Sequence, residues 1–415
     1  MRIALLPDDY LPSSTLVHAK MFHELAHEFM KQGHDVVVIT PGVPNQIEKL
    51  IIETVEGVVV WRFRAGLRRG VGKLRRAINE SFLSLSAWRA IKYEVNKAPF
   101  DLCINYSPTI FFGNLTAKLR SLHSTYVYLV LRDMFPQWAI DEGLIIQGSL
   151  IEKYFRFFER LNYSSADFIG LMSLKNLQLF EKMTGSIYRT EVLYNWADKD
   201  AFPCKSHVFG VRELLGLQDK VIYFYGGNIG HAQDMGNLLR LAEAMRHIDS
   251  AHFIFLGQGD EVDLVKSTIE SKKLINCSFM PSVSQQEYKL LLNEIDVGLF
   301  SLSANHTAHN FPGKLLGYMV HSLPILGSVN KGNDLIDVIH TANAGFIYNN
   351  GDDHAFYEAA KKLAIDVSLR KKIGQNANQL LAEKFSVESA ALKILNSFTK
   401  NKEKKMILPV ENLTL

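Results

Sequence analysis

The chain has 415 residues, 47% of them hydrophobic and 21% charged, with 27 Gly and 12 Pro. These proportions exclude fibrous, collagenous and disordered proteins and suit two globular domains. The net charge of +3 is too small to argue for nucleic acid. Cys103, Cys204 and Cys277 lie far apart with no CxxC or Cys/His pairing, so neither a disulfide framework nor a zinc site is expected, and a reducing compartment is.

The opening MRIALLPDDY predicts a strand and not a signal peptide, because its apolar run is short and Asp8 and Asp9 end it. No apolar run reaches the roughly 18 residues of a membrane span. The expected location is cytoplasmic, or peripheral to a membrane. Residues 3–8 and 35–40 read as strands around a helix at Leu16–Gln32, with Gly33 as its C-cap. Further strands are expected at 58–63, 102–106, 125–131, 167–172 and 191–195, mostly separated by helical stretches. Residues 201–210 read as a linker. A second series follows, with strands at 221–227, 252–259, 277–280, 296–302, 323–328 and 345–348, then helices across 353–399 and a disordered Lys-rich tail, KNKEKK. The fold class is α/β. Two doubly wound domains, with a ligand cleft where they face each other, are expected.

Charge is unevenly placed. Between Gly57 and Asn79 there is no acid, yet Arg62, Arg64, Arg68, Arg69, Lys73, Arg75 and Arg76 occur there, interleaved with Trp61, Phe63, Leu67, Val71 and Leu74. That mixture suits an anionic leaflet, where each base contributes about 1 kcal/mol. A solvated helix face reads the same way. No motif that reads nucleic acid accompanies the patch.

The sharpest chemistry lies in the second series. Gly226-Gly227-Asn228-Ile229-Gly230 follows an apolar strand and precedes a helix at Met235–Met245. Glycine lets amides approach a phosphate and the helix dipole favours the anion, although the turn is not GxGxxG and such turns are also plain connections. Leu256-Gly257-Gln258-Gly259, one unit later, reads as structural. In Asn310-Phe311-Pro312-Gly313-Lys314, the Pro and Gly would open a helix with outward amides. Lys314 in its first turn would oppose the helix dipole, a placement that suits a diphosphate, or it snorkels to solvent.

In the first series Arg132 and Asp133 sit at the carboxyl end of an apolar strand, where such sheets bind ligands, or form a local ion pair. Ser107 and Pro108, after Tyr106, suit the start of a helix. Asp8, Asp9, Ser13 and Ser14 form the first strand-end loop and either hydrogen-bond hydroxyls or cap the first helix. GxSxG and GxxxxGK[ST] are both absent from the sequence. The histidines at 18, 23, 27, 231, 306 and 309 read as scattered, with no metal set.

Eight segments together carry a family resemblance: DDYLPSSTLVHAKMFHELA (8–26), VGKLRRAINESFLS (71–84), YSPTIFFGNL (106–115), LRDMFPQWAIDEGLI (131–145), EKYFRFFERLNYSSAD (152–167), VLYNW (192–196), YGGNIGHAQDMGNLL (225–239) and NFPGKLLGYM (310–319). Over nearly its whole length the chain resembles the retaining, nucleotide-sugar-dependent glycosyltransferases of family 4, which have the GT-B fold of two Rossmann-like domains facing across a cleft. Within them it is similar to the WbuB-type amino-deoxysugar transferases of O-antigen and capsule assembly.

The resemblance implies an N-terminal domain at 1–205 on the acceptor side, a donor domain at 206–385, and a C-terminal helix and tail at 386–415. It implies transfer of N-acetyl-L-fucosamine, or a close 6-deoxy amino sugar, from UDP to an undecaprenyl-diphosphate-linked sugar at the inner membrane face. No cofactor is implied: the UDP-sugar is a substrate and the reaction is metal-independent. Lys314, Arg132 and Asp133 become the catalytic candidates. Gly227, Asn228, Gly230 and Gly313 would hold the diphosphate, Met280 would meet the uracil, and Ser13, Ser14 and Tyr106 would contact substrate. Arg62, Arg68, Arg69, Lys73, Arg75 and Arg76 would contact the membrane. The pattern departs from the wider family at two positions, His309 and Gly317, where a pair of glutamates is usual, and at Asn228 and Gln233 where Arg and Lys are common. The alternatives are a UDP-amino sugar epimerase on the same fold and a non-catalytic nucleotide-sugar-binding subunit.

Overall fold

The computed structural model describes the chain except residues 15, 69, 142, 200–209, 306–308, 310 and 408–415, and except the side chains of 73, 74 and 402–407. The expected linker and Cys204 therefore lie outside the described residues. Two compact units emerge: residues 1–194 together with 387–415, and residues 195–386.

In the first unit, strands β1 (Arg2–Leu6), β2 (Asp35–Pro41), β3 (Leu50–Val55), β4 (Val58–Phe63), β5 (Leu102–Ser107), β6 (Tyr126–Leu131), β7 (Phe168–Leu171) and β8 (Thr190–Val192) form one sheet in the order β3-β4-β2-β1-β5-β6-β7-β8. All neighbours are parallel except β3 and β4, a hairpin. The parallel strands are buried on both faces, which explains their continuous apolar runs, such as VYLVL in β6. By contrast, β3 alternates half-buried and exposed residues, so its LIIETV lacks the run that marks the others. It was not expected from sequence.

The second unit holds β9 (Val221–Asn228), β10 (Ala251–Gln258), β11 (Cys277–Pro281), β12 (Val297–Ser301), β13 (Ile325–Val329) and β14 (Gly345–Asn349), all parallel, in the order β11-β10-β9-β12-β13-β14. Counted within the unit this order is 3-2-1-4-5-6, the doubly wound arrangement whose switch point lies between the first and fourth strands. In the first unit the corresponding point lies between β1 and β5. The expectation of two Rossmann-like α/β domains agrees with both sheets. Each has its own core: Trp61, Phe63, Phe100, Phe112 and Leu115 in the first, and Tyr223, Phe253, Phe255, Leu238 and Phe356 in the second.

The domain limits differ from the expected ones. The change of unit falls near residue 195 and not 205. The last segment is no separate element, because the helix Val387–Ile407 returns to the first unit. There the Tyr126 hydroxyl donates to the Ser397 carbonyl at 3.2 Å and Phe398 packs edge-on against the Tyr126 ring. The Lys-rich KNKEKK lies within that helix. Ser107 ends β5 and caps nothing: the next helix begins six residues later, at Gly113–His123.

Candidate functional site

In the second unit, the carboxyl ends of three adjacent strands stand in register. Gly226, Leu256 and Met280 pair in one row and Gly227, Gly257 and Pro281 in the next. Gly257, at φ +153°, lies so close beneath the first turn that an added Cβ would sit 1.8 Å from the Gly227 carbonyl oxygen. A Cβ on Gly259 would meet the Ile229 oxygen at 2.1 Å. The second glycine turn is thus a floor for the first. Its main chain is tied there by Ile229 N–H donating to the Gln258 carbonyl at 2.9 Å.

Lys314 stands over this turn. Its Nζ lies 3.4 Å from the centre of the Tyr225 ring, and a Cβ built on Gly227 would lie 3.7 Å from it. Tyr225 is buried and directs its hydroxyl to the Asn228 carbonyl. The ring face offers the ammonium a cation–π contact but no countercharge, and among the described residues no carboxylate pairs with it. Burial holds the Lys314 pKa well below the usual lysine value. The switch-point position and a half-buried cation beside exposed Gly227 and Asn228 together suit an anionic ligand.

The helix dipoles contribute less than the sequence suggests. At the helix Met235–Ala244, the Asp234 side chain accepts from Asn237 N–H at 3.3 Å and Glu261 accepts from Met235 N–H at 3.3 Å. Two carboxylates therefore already answer that terminus. At Lys314–Val320, the Leu315 and Leu316 amides turn back to the Pro312 and Gly313 carbonyls. Those two amides are therefore engaged within the turn, and the ammonium stands as the main positive group. Asn228 donates to the Gln233 side chain at 2.8 Å. Gly230 is buried, with room for no side chain beside Asn228 and Asp260. Gly313 is exposed, and Met280 is buried in β11. Asn310 lies outside the described residues.

The sequence did not single out Tyr225, Tyr288 or Tyr318, although they build this floor. The Tyr318 hydroxyl donates to the carbonyls of Phe224 and Leu299, at 3.1 and 2.9 Å, bridging β9 and β12 at the switch point. A Cβ on Gly298 would penetrate its ring at 2.3 Å, and one on Gly226 would strike Tyr288 at 2.5 Å. Strand glycines opposite tyrosines were the available signal.

In the first unit, β1 and β5 bring another group together. Asp8 Oδ1 lies 3.1 Å from His18 Nε2, the His18 ring stacks on Tyr106 at 4.9 Å, and Arg68 donates to the Asp8 carbonyl at 2.7 Å. Burial pushes the Asp8 carboxyl up, but His18 and Arg68 outweigh it, so its pKa is lowered. Ser14 is buried and accepts from Leu16 N–H at 3.2 Å, whereas Ser13 is exposed. Arg132 spans the ends of β6 and β7 and the chain after β8, donating to the carbonyls of Leu131, Gly170 and Tyr194 at 3.4, 3.5 and 3.2 Å. Burial lowers it to about 10, so it stays cationic at neutral pH. Asp133 is exposed.

One membrane assignment is corrected. Arg62 is 5% exposed, with Nε 2.5 Å from Glu53 Oε1 and its guanidinium on the Leu11 carbonyl. Both faces of β4 are covered, so Arg62, on the face opposite Trp61 and Phe63, is enclosed and cannot meet a surface. Arg75 and Arg76 are exposed on the helix Lys73–Ser81, Arg76 pairing with Glu80 at 2.8 Å. Arg69 and the side chain of Lys73 lie outside the described residues.

Two switch-point sites, one cradling a cation over a glycine turn, define a pair of Rossmann-like ligand-binding domains. Residues 18–196 match the family described as glycosyl transferase 4-like domain, and residues 212–380 match glycosyl transferases group 1. The two matches follow one another along the chain, each over less than half of it, and both are to glycosyl transferase domains. It is 23% identical over 219 residues to the probable glycosyltransferase WbjE of Pseudomonas aeruginosa, a match covering 52% of this chain and about half (54%) of that relative. It is 24% identical over 330 residues to the putative colanic acid biosynthesis glycosyl transferase WcaI of Escherichia coli K12, covering 76% and 80%. Among solved structures it resembles sucrose-phosphate synthase from Thermosynechococcus elongatus (TM-score 0.69, 13% identity, 97% and 99% covered). It also resembles HepE of Anabaena in complex with UDP and glucose (TM-score 0.63, 15% identity, 96% and 100% covered). At these identities the structural likeness shows the fold alone.

Proposed function

We propose that the protein is a retaining glycosyltransferase that moves a 6-deoxy amino sugar, N-acetyl-L-fucosamine or a close relative, from UDP to an undecaprenyl-diphosphate-linked sugar in O-antigen or capsule assembly. The carrying observation is the half-buried Lys314 ammonium, held on the Tyr225 face and beside Gly227. A leaving diphosphate is the charge that such a cation stabilises. Donor positioning and leaving-group stabilisation then do the work, and the departing diphosphate takes the acceptor proton, so no side-chain nucleophile is needed. The UDP held by HepE and the colanic acid role in WcaI's name support the donor and the process. Gly227, Asn228, Gly230 and Gly313 line the diphosphate and Met280 the uracil. Arg132 and Asp133, at the carboxyl end of β6, are the first unit's candidates for the transfer chemistry, Arg132 also tying strand ends together. Ser13, Ser14 and Tyr106, with Asp8 and His18 beside them, face the acceptor.

No helix of the described residues is long and apolar enough to cross a membrane, and the lipid acceptor is reached from the cytoplasmic face through Arg68, Arg75 and Arg76. The test offers a panel of UDP-amino sugars with a diphosphate-lipid acceptor and measures UDP release. Acceptor-dependent release from one amino sugar is expected. An epimerised nucleotide sugar formed without acceptor, or UDP binding with no transfer across the panel, would refute the reading.

A further inference from the structure

The helix Val17–Lys31 and the β3–β4 hairpin meet at three side chains that no part of the transfer chemistry uses. His23 and His27, four residues apart on one helix face, bring their Nε2 atoms to 3.2 Å. Glu56, in the hairpin turn, places Oε2 3.0 Å from His23 Nε2. On the other side of the ring, His23 Nδ1 lies 2.7 Å from the hydroxyl of Tyr10, which is fully buried. His23 is buried, while His27 and Glu56 are open to solvent.

Protons alone serve this arrangement poorly. The carboxylate only accepts. If His23 Nε2 carries hydrogen for Glu56, it has no lone pair for His27. If it does not, it turns a lone pair toward the carboxylate. A shared hydrogen or an external cation resolves the conflict, and a cation resolves it for all three atoms.

We propose that His23, His27 and Glu56 bind one divalent transition-metal ion of the zinc type, with water completing the coordination. Two imidazoles and a carboxylate form a donor set that zinc accepts. A tetrahedral ion with bonds of ~2.0–2.1 Å has ligand–ligand edges of about 3.3 Å; the contacts at 3.2 and 3.0 Å are close to that length, and the exposed His27 and Glu56 side chains, whose ligand atoms lie within 4.8 Å of each other, close onto the ion as it binds. Tyr10 supplies the outer contact that such sites use: its oxygen accepts from His23 Nδ1–H, which leaves the Nε2 lone pair facing the ion. The turn itself is unusual. Glu56 and Gly57 are its two central residues, at φ +46° and +88°. Asn or Asp is favoured at the first of these positions, and a glutamate there is held in a backbone region it disfavours. The bound ion clips the hairpin to the helix and stiffens the Asp8–Ser14 loop through Tyr10.

The test uses the full chain without a histidine tag, stripped with chelator, and titrated with Zn2+ against a chromophoric competitor. One equivalent is expected, with a rise in Tm, and Co2+ in place of Zn2+ should give the visible absorption of a tetrahedral site. His27→Ala and Glu56→Gln alter solvent-exposed side chains and should each weaken binding at least tenfold and abolish the rise in Tm. Absence of Zn2+ binding at micromolar concentrations would overturn the assignment. So would Zn2+ binding of equal strength in both variants.

Discussion

Lys314→Met separates charge from packing at the proposed donor site. Methionine keeps an unbranched apolar stem over Tyr225 and removes only the ammonium. A hydrogen bond to a charged group is worth about 1.5–3 kcal/mol, so kcat/KM should fall roughly 10- to 150-fold, measured as acceptor-dependent UDP release. Stability should move the other way. Burial depresses the Lys314 pKa, so the folded protein binds this proton less tightly than the unfolded chain does. The penalty is in full force below the folded value, shrinks as pH rises, and is gone above the ordinary lysine value near 10.4. The variant should therefore match or exceed the parent in Tm at neutral pH, with the difference closing toward pH 10. The basic limb of the parent's kcat/KM profile should lie below the ordinary lysine value and be missing from the variant. A variant of unchanged kcat/KM would refute the reasoning, and so would one that loses activity only in proportion to a lower Tm.

Gly257→Ala would drive a methyl to 1.8 Å from the Gly227 oxygen. It should cost more than about 3 kcal/mol in urea unfolding, and a loss below about 1 kcal/mol would mean that the two turns are not stacked. Arg75→Gln with Arg76→Gln should weaken binding to anionic vesicles by about 2 kcal/mol, roughly 30-fold, and the effect should shrink at high salt. Arg62→Gln, by contrast, should lower Tm without that vesicle signature, because its partners are Glu53 and Leu11. Chelation with EDTA should leave UDP release unchanged, since Lys314 meets the diphosphate charge, while lowering Tm through the His23–His27–Glu56 site. Loss of transfer restored by Mg2+ would contradict the assignment to Lys314.

The sequence by itself determined the α/β class and most of the strands, because a strand covered on both faces must be apolar throughout, and such runs stand out. It also singled out the GGNIG turn and Lys314, since glycine and a lysine at a helix start leave local signatures. What only the tertiary structure decided depends on distance across the chain. β3 shows no continuous apolar run and is held by its hairpin partner. Arg62 looks like its basic neighbours until the covered faces of β4 enclose it beside Glu53. The helix termini look open until Asp234, Glu261 and the turn carbonyls occupy their amides. Tyr225 beneath Lys314, and Glu56 beside two histidines of a distant helix, are juxtapositions made by sheet order and packing, and neither leaves a periodicity to read.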